Sequence, residues 1–200
     1  MKNILITIAA LLFVGSAQAD PKPYKGKVHQ IPGKIEAEHY DEGAPGKAYY
    51  DVDKKNLGAE YREVTQVDIE KRSDASNGHG IGWTRKGEWL NYSVDVKESG
   101  TYTIEMPVAS KKMGGLFVLA IEGKDICLPI QIPDTGGWDK LKVIKCAGVK
   151  LTKGRHVIRV VMLAQGQSGS IGDIDYFKFM KNSSSSETSS ANTAARQLKN

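Results

Sequence analysis

Two residue types in this chain could do chemistry at a surface: tryptophan and paired carboxylates. Trp138 follows Gly136-Gly137 in the stretch TGGWDKLKV. Glycine-rich turns usually run over the surface, so a Trp placed there is either a buried anchor for the loop or a flat platform for a ligand. Glu36 and Glu38 alternate in KIEAEHY. On a strand they share one face while Ile35 and Ala37 take the other. Two carboxylates on one face repel unless donors or a cation lie between them, and hard oxygen ligands suit Ca²⁺; the other reading is a solvated charged edge. Trp83 and Trp89, in GIGWTRKGEWLNY, are six apart. An unbroken strand would put them on one face, but Arg85-Lys86-Gly87 reads as a turn that breaks the register. Trp89 precedes alternating Leu90, Tyr92, Val94 and Val96, which predicts a core or sheet-surface position.

Catalytic constellations are missing from the sequence. His29, His39, His79 and His156 are far apart and lack metal-ligand spacing. No GxSxG elbow occurs, and no His neighbours Cys127 or Cys146. Glycoside cleavage needs an acid and a second carboxylate across a cleft, and no recognisable pair stands out. The formal charge of +5 is spread without a dense basic block, which argues against nucleic acid as a partner.

The elements that must position these residues are short strands. MKNILITIAALLFVGSAQAD has a lysine, an apolar run too short to span a bilayer, and Ala17-Gln18-Ala19; residues 1–19 are expected to be a signal peptide and the mature chain to be secreted, extracellular or periplasmic. In that oxidising setting the two cysteines, Cys127 and Cys146, predict one disulfide linking neighbouring strands across the Trp138 loop. Residues 20–34 are rich in Pro, Lys and Gly and read as a leader strapped over the domain. WLNYSVDV, TYTIEMPV, LFVLAIEG, HVIRVVML and IDYFKFM alternate as strands and are separated by glycine-containing turns. No segment has a helical period of ten residues, and no later segment is apolar enough to span a membrane. The expected fold is all-β, a single-domain sandwich over residues 35–181. Residues 182–200, NSSSSETSSANTAARQLKN, cannot bury enough apolar surface to fold and read as a tail or linker.

The ordered set IEAEHYDEG, AYYDVD, YREVTQVDIE, GIGWTRKGEWLNYSVDV, GTYTIEMPVAS, IPDTGGWDKLKV, VKLTKGRHVIRV and GDIDYFKF resembles the family 6 carbohydrate-binding modules. The resemblance covers Ile35 to about Lys181. It implies a β-jelly roll that binds polysaccharide without cleaving it, carries a structural calcium and is often joined to a glycoside hydrolase. Carried onto this sequence, it implies that Tyr61 and Trp138 flank a sugar ring and that Asp173, where the family often has Asn, accepts hydrogen bonds from ring hydroxyls. Asp175 is implied as the third calcium ligand beside Glu36 and Glu38. Tyr61 has a plainer role open to it, a tyrosine at a sheet edge; Arg62 reads as pinning the loop to a carboxylate, and Trp83 has two readings open to it, a plain structural position or a part in the second, sheet-face cleft that some members of the family use. The expected ligand is a β-glucan, agarose or xylan. Two alternatives remain: a small hydrolase or lyase using carboxylates such as Asp173 and Glu88, and an adhesion domain.

Overall fold

Leu90, Tyr92, Val94 and Val96 are buried on one strand while Trp89, Ser93 and Asp95 face outward, the period-2 pattern of a sheet with one wet side. The same alternation builds most of the structure. The computed structural model describes residues 21–58 and 61–183; the expected signal peptide, residues 1–19, and most of the expected tail lie outside them. In chain order the strands are β1 His29–Ile31, β2 Gly33–Glu36, β3 Tyr49–Tyr50, β4 Ile69–Lys71, β5 His79–Ile81, β6 Trp89–Val96 and β7 Gly100–Ser110. They continue with β8 Leu116–Ile121, β9 Lys124–Asp125, β10 Ile130–Gln131, β11 Gly137–Leu151, β12 Gly154–Ala164, β13 Asp173–Ile174 and β14 Tyr176–Lys181. A 3₁₀ turn at Tyr24–Gly26 precedes them.

Two sheets form a sandwich. The first runs β1-β6-β12-β8-β10, with β3 added on β6 and β9 on β8; the second runs β2-β14-β7-β13-β5-β4, with β11 also on β7. Tyr40, Tyr92, Tyr102, Phe117, Phe177 and Phe179 are the largest fully buried side chains between them, and their area dominates the core's hydrophobic free energy.

Three sequence expectations shift here. The expected leader is partly core: β1 pairs in parallel with β6, β2 pairs with β14, and Ile31 is fully buried. The run IDYFKFM is divided at Asp175, whose backbone leaves the strand rhythm to bond with Ala37 and Pro107. Cys146 lies on β11, but Cys127 occupies a bend after β9. Both are half-buried free thiols, so the expected disulfide is not formed in this structure. Burial, with the adjacent Cys146 adding to it, pushes the Cys127 thiol up to about 11.

Candidate functional site

At one end of the sandwich two exposed indoles share a cleft. β5 stops at Ile81 and the chain turns through Gly82 to Trp83, which has φ of 45°. A left-handed backbone at a bulky residue costs about 1–3 kcal/mol and is kept where the surroundings enforce it. Trp138 is lifted from β11 by a large register shift. Gly137 pairs with Ser110 and pairing resumes at Lys142 with Val108, so the residues between are looped out of the ladder. Thr135 fixes the root of this loop: its Oγ1 accepts from the Ser110 amide at 2.9 Å, and Asp134 Oδ1 accepts from the Gly136 amide at 2.8 Å. Trp83 is 43% exposed and Trp138 36%, which puts Trp138 at the surface and not in the core. With Glu70, Arg85, Ser168, Gly169, Ser170 and Asp173 they line an open cleft of about 360 Å³.

The cleft floor is organised by Arg72, which is 6% exposed. Its Nη1 donates to Glu70 Oε1 and, at 2.9 Å, to Asp173 Oδ2; Nε and Nη2 bond to Asp74 at 3.0 and 2.9 Å; Nη2 also donates to the Trp138 carbonyl at 2.6 Å. One guanidinium therefore holds β4, β13 and the Trp138 loop together, using the fork geometry that lysine lacks. Three carboxylates share that one cation. Burial, reinforced by Glu70 and opposed by Arg72, pushes the Asp173 carboxyl up to about 8. Gly82 leaves the room this needs, since a Cβ there would stand 3.2 Å from Asp173 Oδ1.

The structure brings Trp138 and Asp173 together but places Tyr61 elsewhere. The Tyr61 hydroxyl is bonded to His39 Nε2 and to the Tyr24 hydroxyl, both at 2.8 Å, and its ring stacks on His79 at 4.4 Å between centroids. It is absent from the cleft lining. Arg62 donates to the Glu38, Tyr40 and Asp41 carbonyls and lies 3.6 Å from the Tyr40 ring centroid, so it pins the loop to backbone oxygens and not to a carboxylate. Trp83, and not Tyr61, lines the cleft with Trp138. It does not belong to the sheet face, where a larger groove of about 870 Å³ is lined by Val94, Val118, Arg155, Val157 and Arg159 without a Trp, Tyr or Phe. Trp89 lies on that sheet with the Arg159 guanidinium 3.9 Å over its ring. Glu88 is buried, accepting from the Arg85 amide at 2.8 Å, and does not line the cleft; it and Asp173 do not form a pair across it. Arg72 and Glu70 escaped the sequence reading, though Glu70 on β4 and Arg72 just past its end are two apart, the spacing that puts both on one face of an extended chain.

Glu36, Glu38 and Asp175 gather around one loop. Ser76 Oγ donates to Glu36 Oε2 at 2.7 Å, the Ser76 amide to Asp175 at 3.2 Å, and Asn77 Nδ2 to Glu38 Oε1. Glu38 is fully buried, its Oε2 has no hydrogen-bond partner among the described residues, and burial pushes its carboxyl up to about 7. That orphaned oxygen fits a cation. The three carboxylates are nonetheless not drawn within 4.8 Å of one another as a set.

Residues 58–181 match the model of the carbohydrate binding module family 6. The chain belongs to this family. The solved β-1,3-glucan binding module from Bacillus halodurans is similar at 22% identity and a TM-score of 0.57, covering 76% of this chain and 98% of that one. The module of Cellvibrio mixtus lichenase 5A in complex with cellotriose is similar at 25% identity and a TM-score of 0.56, with the same coverage. Among curated proteins, the clotting factor G alpha subunit of Tachypleus tridentatus is 35% identical over 86 residues, 42% of this chain and 13% of that protein. β-Agarase AgaA of Microbulbifer thermotolerans is 29% identical over 63 residues, 32% of this chain and 14% of that protein. The chain thus spans a small fraction of either relative. As a family 6 module it has the jelly-roll sandwich of its neighbours and binds polysaccharide without catalysis.

Proposed function

We propose that this module grips a β-glucan chain at the loop end of the sandwich, with a sugar ring held between Trp83 and Trp138 and its hydroxyls read from the floor by Asp173. The exposed indole pair across a cleft with a polar floor carries this reading. A pyranose exposes C–H groups on a face, which flat rings bury, while a few placed polar groups select orientation. Arg85, Ser168 and Ser170 at the edge add donors suited to hydroxyl recognition. Preference for a β-glucan over agarose or xylan is supported by two structural neighbours, one described as binding β-1,3-glucan and one as holding cellotriose.

A structural calcium at Glu36, Glu38 and Asp175, secretion directed by residues 1–19, a disulfide between Cys127 and Cys146, and attachment to or cooperation with a glycoside hydrolase complete the proposal. The ion would neutralise three buried or half-buried carboxylates and tie β2 to β14. Among the described residues no helix is long and apolar enough to cross a membrane.

Titration calorimetry with laminari-, cello-, agaro- and xylo-oligosaccharides tests the assignment. A stacked aromatic contributes about 1–3 kcal/mol in comparable base-stacking sites. Trp138→Ala and Trp83→Ala are each expected to weaken binding about ten- to hundredfold with an unchanged melting temperature, and Tyr61→Phe to leave affinity as it was. Full affinity in both tryptophan variants would refute the site; tightest binding to agaro- or xylo-oligosaccharides would refute the glucan preference.

A further inference from the structure

A second group of carboxylates lies outside both sites just described. One oxygen from each of Asp51, Asp53 and Asp68 lies within 4.8 Å of the other two, where the chain leaving β3 meets the segment entering β4. An acidic cluster alone says little, since many are only solvated. This one is withdrawn from water: Asp68 is 2% exposed and Asp51 7%. Asp68 Oδ1 accepts from the Leu57 amide at 2.6 Å, but its Oδ2 is buried with no hydrogen-bond partner among the described residues. A buried, unpaired carboxylate oxygen is expensive. Compensation by protein cations is thin. Arg85 Nη2 reaches Asp53 Oδ2 at 3.2 Å from a side chain that is itself 43% exposed, and Glu88, 6% exposed, adds a further acid nearby. A void of about 10 Å³ lies against Asp51, Asp68 and Glu88, close to the volume of a single water-sized sphere.

We propose that Asp51, Asp53 and Asp68 bind a divalent cation of the calcium class, at a site separate from Glu36, Glu38 and Asp175. The donor set is all oxygen, the chemistry Ca²⁺ prefers, and the neighbouring loop can supply carbonyls toward the six to eight oxygens it takes. The ion would fix the loop after β3 to the start of β4. Asp68 is two residues before Glu70 and four before Arg72, so this clamp braces the strand that forms the floor of the cleft.

The test is calcium titration calorimetry on the full chain after chelator stripping, comparing wild type with Asp53→Asn, Asp68→Asn and Glu38→Gln. Asp53 is the safer variant because its side chain is 28% exposed and its replacement leaves the Asp68 bond to Leu57 in place. The expected result is that Asp53→Asn and Asp68→Asn each remove one calcium equivalent, or weaken it at least tenfold, while Glu38→Gln leaves that equivalent intact. Calcium binding by Asp53→Asn with wild-type stoichiometry and affinity overturns the site. So does a wild type that binds no calcium, or one whose only equivalent vanishes in Glu38→Gln and persists in Asp53→Asn.

Discussion

At the scale of single residues, the least replaceable side chain at the cleft is Arg72, which touches no solvent-facing ligand surface of its own. Removing one partner of a buried ionic network costs about 3–5 kcal/mol because the remaining charges stay buried. Arg72→Ala is therefore expected to lower the unfolding free energy by that amount, read as a lower urea midpoint, and, where protein remains folded, to weaken sugar binding by freeing the Trp138 carbonyl. Asp173 carries a pH signature. Its folded-state pKa, about 8, lies above the ordinary value near 4. The native state then holds the proton more tightly than the unfolded chain, so this stabilising contribution is complete below pH 4 and is lost as pH rises through 8. Urea midpoints of the wild type should fall between pH 5 and 9, and Asp173→Asn should flatten that fall; parallel profiles would contradict it. Trp138 was legible as an exposed loop residue because glycines announce its turn. Trp83 was not, because nothing in GIGW reveals that Trp83 adopts a left-handed backbone and turns toward a loop 55 residues on.

At the scale of elements, alternation was a faithful guide where one sheet face is wet. β6 coincides with WLNYSVDV, and β7, β8 and β12 contain or nearly match their expected runs. It failed where tertiary bonds override the period: at Asp175, which interrupts its strand to meet Ala37, and at β1, whose three residues carry no usable pattern alone. Register was also invisible, and it is the looped-out stretch after Gly137 that makes the Trp138 platform. The segments bearing Cys127 and Cys146 meet with their thiols adjacent, so oxidation would close a loop of about 18 residues and stabilise by about 3 kcal/mol in the chain-entropy model. Thiol titration of denatured, unreduced exported protein is expected to find no reactive groups, and Cys146→Ser to unfold at lower urea; two reactive thiols in the wild type would contradict this.

At the scale of the whole molecule, the calcium proposed at Glu36, Glu38 and Asp175 would join chain segments 137 residues apart between Glu38 and Asp175. A ligand bound only by the native state adds about 2.7 kcal/mol at a hundredfold excess over Kd, and each kcal/mol moves the melting temperature of a domain this size by about 2–4 °C. Chelation is expected to lower the melting temperature accordingly, and Glu38→Gln to reduce that sensitivity; coincident curves for wild type in chelator and in millimolar calcium would exclude the ion. The pairing along β7 has a further consequence. Asp173 pairs with Ala109 near one end of that strand, while Lys181 pairs with Tyr102 near the other and Phe179 pairs with Gly33. Seven residues of strand separate the two ends, about 23 Å at ~3.3 Å per residue. With the polymer bound at the proposed cleft, Lys181 stands at the opposite pole, so a domain fused beyond it would work on neighbouring chains at raised local concentration without the bound polymer standing in its way.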